Sequence, residues 1–157
     1  MSMKYPIGIQ SFDQIREEGY VYVDKTALVY DLVTNGTIYF LCRPRRFGKS
    51  LLVSTLENYF LGKKELFKGL AIDSLEKEWK EHPVFHISFA TSNFTNYGAL
   101  ETTIDAQLSD YEKIYGNDAK DTKDFGVRFR YLIRAAHEHT GQRVVVLIDE
   151  YDKPLLD

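Results

Sequence analysis

The sequence holds one cysteine, Cys42, and no second to pair with it. That excludes an intramolecular disulfide framework and a cysteine-rich zinc site, and it fits a reducing compartment. Long apolar runs are missing as well. No stretch approaches the roughly 18 residues that a membrane-spanning helix needs. The first twenty residues carry no uninterrupted apolar block of the kind found in a secretory signal. Positive charge is not in excess. Against 23 Asp and Glu stand 20 Lys and Arg, a formal net charge of -3. That argues against a protein that grips nucleic acid by its overall field and leaves a local basic patch for that role. Internal repeats and low-complexity linkers are absent too. These absences predict a soluble, cytoplasmic protein that does not enter a membrane.

What is present is a chain of 157 residues that is 44% apolar, with 11 Tyr and 10 Phe. That is one domain's worth of sequence, large enough for a core and too apolar for a disordered chain. Ser11 followed by Gln14 reads as a capping box, and Gly19 closes that short helix. Tyr20 to Val23 reads as extended. Asp24 then caps a helix in which Leu28, Val29, Leu32 and Val33 repeat at helical spacing until Asn35-Gly36 stops it. Residues 37–42, TIYFLC, are apolar without alternation, as in a strand covered on both faces. A helix follows from about Gly48 to Gly62, with Leu52, Leu56, Tyr59 and Phe60 on one stripe. Charged, irregular sequence runs on to Pro83. Val84 to Ala90 reads as a second strand. Two further helices are marked by Leu100, Ile104, Leu108, Tyr111 and Tyr115, and by Phe125, Phe129, Leu132, Ile133 and Ala136. Arg143 to Ile148, RVVVLI, is the third strand. Strands alternating with helices of this length predict α/β architecture with a mainly parallel sheet, whose ligands sit at the carboxyl ends of strands.

Two of those strand ends carry chemistry. FLCRPRRFGKSLL, from Phe40 to Leu52, matches the second half of the phosphate-loop pattern G-x-x-x-x-G-K-[ST]. Gly48, Lys49 and Ser50 fit. Arg43 stands in place of the first glycine, and Pro44 has no backbone N–H to offer. The loop's physics survives that loss. Phosphate is held mostly by N–H groups of the last loop residues and the first helical turn, where the helix also carries partial positive charge. The expected phosphate-binding stretch is Arg45, Arg46, Phe47, Gly48, Lys49, Ser50 and Leu51. Lys49 reaches the outer phosphates and the Ser50 hydroxyl binds Mg²⁺. The second strand end, VVVLIDE, places Asp149 to hold Mg²⁺ and Glu150 to orient an attacking water. Each half has a plain alternative. Gly-Lys-Ser also arises by chance, and strands often end in solvated carboxylates. Their joint occurrence, in the right order with one strand candidate between them, favours a nucleotide site with Lys49 and Glu150 as its catalytic pair.

GIQSFDQIREEGYVYVDKT, FLCRPRRFGKSLL and VVVLIDEYDKPLLD together resemble the bacterial family of predicted AAA-ATPase-like proteins, over almost the whole chain. That family's phosphate loop reads R-P-R-R-F-G-K-S, so Arg43 matches its own variant, and YVDKT (Tyr22 to Thr26) and DEYDKP (Asp149 to Pro154) are typical of it. The resemblance implies a three-layer P-loop fold of the ASCE class, related to AAA proteins, with ATP as nucleotide and a cytoplasmic location. Longer members continue into a PD-(D/E)XK nuclease-like domain. In the ASCE topology the strand after the acidic one inserts between it and the phosphate-loop strand. The expected layout is therefore an N-terminal extension (1–36), the Walker A strand, loop and helix (37–62) and the Walker B strand (143–150). The sheet is incomplete after that last strand. Either polypeptide beyond residue 157 or another copy of the chain is expected to complete it.

Three functions stay open at this level: an ATPase, a nucleotide-binding regulatory or structural module without turnover, and the ATP-binding part of a nucleic-acid-processing protein. The remaining residues have plainer readings. Arg43, Arg45 and Arg46 with Lys49 neutralise phosphate or pair with acidic neighbours. Arg128, Arg130 and Arg134 read as a solvated helix face, with an arginine finger as the alternative. Cys42 reads as a small core residue, and His86 as packed within its strand. Asp152 and Lys153 pair with each other or with the basic loop. Phe12 and Tyr22 are candidates to pack near an adenine.

Overall fold

A computed structural model describes residues 4–42, 47–90, 94–95, 98–119 and 121–156. Contacts divide the chain into two compact units, Met1–Glu81 and His82–Asp157.

The first unit is helical. It contains α1 (Phe12–Glu17), α2 (Thr26–Asn35), α3 (Lys49–Phe60), a 3₁₀ turn (Lys64–Phe67) and α4 (Ala71–Leu75). Its core is Phe12, Val29, Leu66, Phe67 and Ile72, with Tyr22, Tyr59 and Trp79 packed against them. Phe12 lies 4.7 Å from Phe67 and 5.2 Å from Tyr22 between ring centroids. Burying each such aromatic or branched side chain contributes about 1.5–3 kcal/mol. Arg16 ties α1 to the 3₁₀ turn by donating to the carbonyl oxygens of Leu66 at 2.7 Å and Lys68 at 2.8 Å. The capping box expected at Ser11 does not form: its hydroxyl donates to the Asp13 carboxylate instead of capping α1.

Two expectations for this unit are corrected. The segment read as irregular up to Pro83 supplies Phe67 and Ile72, both fully buried. These elements span four and five residues, too few to display a helical period. Conversely, residues 37–42 form no strand. Ile38 is 92% exposed and Phe40 74%. A strand exists only where a neighbour takes up its backbone groups, and no described strand pairs with this segment. Tyr39 instead reaches back, its hydroxyl donating to the Leu32 carbonyl at the end of α2 at 2.7 Å. Cys42, expected in the core, is exposed for the same reason.

The second unit contains β1 (Val84–Ser88), α5 (Ala99–Tyr115), α6 (Phe125–Thr140), β2 (Val145–Asp149) and α7 (Lys153–Leu156). The strands pair in parallel, Val84 opposite Val145 and Ser88 opposite Asp149. The apolar stripes of α5 and α6 meet over Phe85, and Leu108, Leu132 and Ala136 complete the core. Asp124 caps α6 by accepting from the Val127 N–H at 3.0 Å. Gly141 ends it in the left-handed region, φ 68°, where a side chain is strained. The architecture is mixed helix with a small parallel sheet.

Candidate functional site

The first half of the expected site lies at the start of α3. Gly48 has φ 75°, and a Cβ there would meet nothing within 4 Å. The residue is thus needed for its left-handed backbone and not to avoid a clash. That conformation lets the chain turn directly into the helix. Lys49 and Ser50 form its first residues, both half-buried, while Phe47 is 63% exposed. The Leu52 N–H is already bonded to the Gly48 carbonyl at 3.0 Å. Gly48, as the N-cap residue, offers no side chain to cap α3, and the helix's first turn contains no acidic residue. A 12-residue helix opening this way concentrates N–H donors and partial positive charge at Lys49, Ser50 and Leu51. Arg43, Pro44, Arg45 and Arg46 lie outside the described residues.

The second half lies where β2 ends. Asp149 is the last strand residue and is 8% exposed. Its Oδ1 accepts the Glu150 N–H at 2.9 Å. Glu150 has φ 55°, a region that costs a non-glycine residue on the order of 1 kcal/mol or more. The turn is closed by the Lys153 N–H donating to the Glu150 carbonyl at 3.0 Å. The Lys153 ammonium, expected to pair with Asp152 or with the basic loop, donates to the Ala90 carbonyl just beyond β1, and Arg43, Arg45 and Arg46 of that loop lie outside the described residues. Phe89 N–H donates to the Asp149 carbonyl at 3.3 Å. The two strand ends are thereby laced together around the acidic pair.

Lys49 and Ser50 thus stand together in the first unit, and Asp149 and Glu150 in the second. Among the described residues no cluster of three or more His, Cys, Asp or Glu side chains is arranged to hold a metal ion. Ser50 and Asp149 each carry oxygen, the donor that Mg²⁺ prefers.

Several candidate residues have structural work instead. Phe12 is fully buried in the first core, and its N–H donates to the Ser54 hydroxyl at 2.9 Å. Such burial leaves no face for an adenine. Arg128, read as solvated, is 5% exposed. Its guanidinium donates to both Glu112 carboxylate oxygens, at 3.0 and 2.9 Å, and also to Asp105. Arg130 lies over the Tyr131 ring, and Arg134 pairs with Glu138 on the surface as expected. The backbone of His86, packed as expected within β1, exchanges two hydrogen bonds with the Tyr111 hydroxyl.

The motif YVDKT is also structural. Asp24 Oδ1 accepts from the Thr26 N–H at 2.8 Å and from the Thr26 hydroxyl at 2.6 Å, and Oδ2 accepts from the Ala71 N–H at 2.7 Å. Thr26 Oγ1 in turn accepts the Ile72 N–H at 3.1 Å. Two side chains therefore serve the N-termini of both α2 and α4. Burial works to raise the Asp24 pKa, but the bonds from Thr26 and Ala71 outweigh it and hold the carboxyl below its ordinary value. The sequence signalled the cap on α2. It gave no sign of α4, so the link between the helices was invisible there.

These features define a protein with a glycine-opened helix carrying Lys-Ser and a parallel strand ending in paired carboxylates. The family model described as "Predicted AAA-ATPase" matches residues 6–157, and the chain belongs to that AAA-ATPase-like family. It is 47% identical over 155 residues to a protein of Azotobacter chroococcum mcd 1 described as "Uncharacterized protein in vnfD 5'region". That match covers 98% of this chain and 30% of the relative's length. No solved structure matches. Among the described residues no helix is long and apolar enough to cross a membrane.

Proposed function

We propose that residues 1–157 are the N-terminal part of a cytoplasmic P-loop ATPase domain of three-layer α/β type and that they bind Mg-ATP. In this reading the N–H groups from Arg45 to Leu51 cradle the phosphates and Lys49 neutralises their outer charge. Ser50 and Asp149 share Mg²⁺, and Glu150 orients the attacking water. The observation that carries it is the start of α3: a left-handed Gly48 as N-cap, Lys49-Ser50 in the first turn and no acidic residue there, in a chain of the AAA-ATPase-like family. Bound Mg²⁺ supplies charge neutralisation on the phosphates.

The test is the affinity of a fluorescent ATP analogue with and without Mg²⁺. Lys49→Ala should lower it at least about tenfold, which is roughly 1.4 kcal/mol. Undiminished affinity in that variant refutes the reading. Binding without turnover is the second reading for residues 1–157 taken alone. The observation that favours it is the exposed course of residues 38–41, which belong to no strand among the described residues. Glu150→Gln in the protein of full length separates the two. It should abolish hydrolysis and leave Mg-ATP affinity within about twofold if Glu150 is the base.

A further inference from the structure

Glu150 sits in a backbone conformation that does not hold itself. Its φ is 55°, and a left-handed glutamate is disfavoured against its relaxed backbone by roughly tenfold or more. Such a conformation persists only where its surroundings over-determine it. Two of the bonds at this turn are local. The Glu150 N–H donates to Asp149 Oδ1 at 2.9 Å, and the Lys153 N–H donates to the Glu150 carbonyl at 3.0 Å. Both join residues within the turn, so neither fixes it to the rest of the fold.

A third bond is long-range. The Lys153 ammonium donates to the carbonyl of Ala90, 63 positions away along the chain. Its anchor is itself held. The Ala90 N–H donates to the Ser88 hydroxyl at 3.3 Å. The Ser88 backbone is clamped to α5 by Gln107, whose Oε1 accepts the Ser88 N–H at 2.8 Å and whose Nε2 donates to the Ser88 carbonyl at 3.1 Å. Ser88 stands opposite Asp149 in the sheet, and the Phe89 N–H donates to the Asp149 carbonyl at 3.3 Å. The frame running from α5 through the end of β1 thus reaches the acidic turn at the Asp149 backbone and at the Lys153 side chain. Asp149 is the last residue of β2 and is placed by the strand. Glu150 lies one residue beyond it.

We infer that Lys153 is a positioning residue for Glu150. Its ammonium, anchored on the Ala90 carbonyl, keeps the turn left-handed and so keeps the Glu150 carboxylate pointed in one direction. Without that anchor the turn relaxes and the carboxylate swings away. The role needs a donor of the right reach and no contact between Lys153 and nucleotide. It rests on the reading of Glu150 as the group that orients the attacking water.

The experiment uses the full-length protein with Lys153→Met, which keeps most of the apolar stem and removes the donor. Glu150 should then be in place about a tenth of the time. Turnover, kcat, should fall about tenfold, while KM and Mg-ATP affinity stay within about twofold. Lys153→Arg, with a donor of similar reach, should keep kcat within about threefold of the parent. Deuterium exchange gives a readout that needs no turnover. In Lys153→Met the amide at position 153, bonded to the Glu150 carbonyl, should exchange on the order of tenfold faster. That of Val145, bonded to the Pro83 carbonyl at the start of β2, should not change. A kcat within about twofold of the parent in Lys153→Met, unchanged exchange at position 153, equal acceleration at Val145, or an arginine variant as slow as the methionine one overturns the inference and leaves the reading of Glu150 standing. A parallel loss of Mg-ATP affinity also overturns it, because the ammonium then meets the nucleotide directly. If Glu150→Gln turns over like the parent, the reading of Glu150 fails first and the inference falls with it.

Discussion

Replacing Asp24 by alanine should destabilise the first unit by about 2–3 kcal/mol. The carboxylate accepts three hydrogen bonds, two from Thr26 at the start of α2 and one from the Ala71 N–H at the start of α4. Losing a side-chain cap costs about 1 kcal/mol per helix. Losing a negative charge beside two N-termini costs a further 0.3–1 kcal/mol or so. Asp24 is exposed, so water replaces part of what is lost, and the lower half of that range applies. Asp24→Asn should cost about half as much: its oxygen still serves Thr26, while its amide faces the Ala71 N–H donor to donor. Thr26→Val leaves the Ile72 N–H buried without its acceptor and should cost about 1–3 kcal/mol. The assay is urea unfolding followed by fluorescence of the single tryptophan. Trp79 packs at 5.1 Å on Phe67 and therefore reports this core. With a slope of about 2 kcal/mol per molar urea, the Asp24→Ala midpoint should fall by about 1 M. The folded-state pKa of Asp24 lies below its unfolded value. Its contribution is therefore complete above the unfolded value and is lost as pH falls through the folded one. The gap between parent and Asp24→Ala should close below about pH 4. An Asp24→Ala midpoint within about 0.2 M of the parent would refute the staple, and the motif's purpose would then lie in binding.

In the second unit, Arg128→Met strands the Glu112 carboxylate, whose side chain is 11% exposed, and should cost about 3 kcal/mol. Arg128→Met with Glu112→Met should recover most of that by far-UV circular dichroism, and a double variant as unstable as the single one counts against the ion cluster. Glu150→Gly relieves a left-handed side chain and should leave the unfolding midpoint unchanged or raise stability by up to about 1 kcal/mol. The same variant should abolish any turnover by the full-length protein. A loss above about 1 kcal/mol would mean that the carboxylate holds the strand end together.

Long periodic elements were legible in the sequence, and elements defined by their neighbours were not. The stripes at Leu100–Tyr115 and Phe125–Ala136 announced α5 and α6 because a 16- or 17-residue helix repeats its apolar face several times. RVVVLI announced β2 because its partner β1 lies within the chain. TIYFLC reads just as strand-like, yet no described strand stands beside it, and composition alone says nothing about that. The same limit explains Arg128. Three arginines on one helix look alike in sequence, and only the approach of Glu112 and Asp105 from α5 separates the buried one from Arg130 and Arg134. Gly48, Lys49, Ser50 and Asp149 were legible as a pattern because each is set by its own local backbone.

Glu150 shows how that local backbone differentiates two adjacent carboxylates. In a continuing strand, consecutive side chains point to opposite faces, and Asp149 and Glu150 would simply be turned away from each other. The strand stops at Asp149 instead, and Glu150 enters the left-handed region. Asp149 is buried, with one oxygen accepting the next N–H. Glu150 is fixed by a turn that Lys153 closes with its backbone and ties to Ala90 with its side chain. Glycine or asparagine would fit that turn at less cost. Trp79, at φ 44°, is the other described non-glycine residue in the left-handed region, and it packs in the first core.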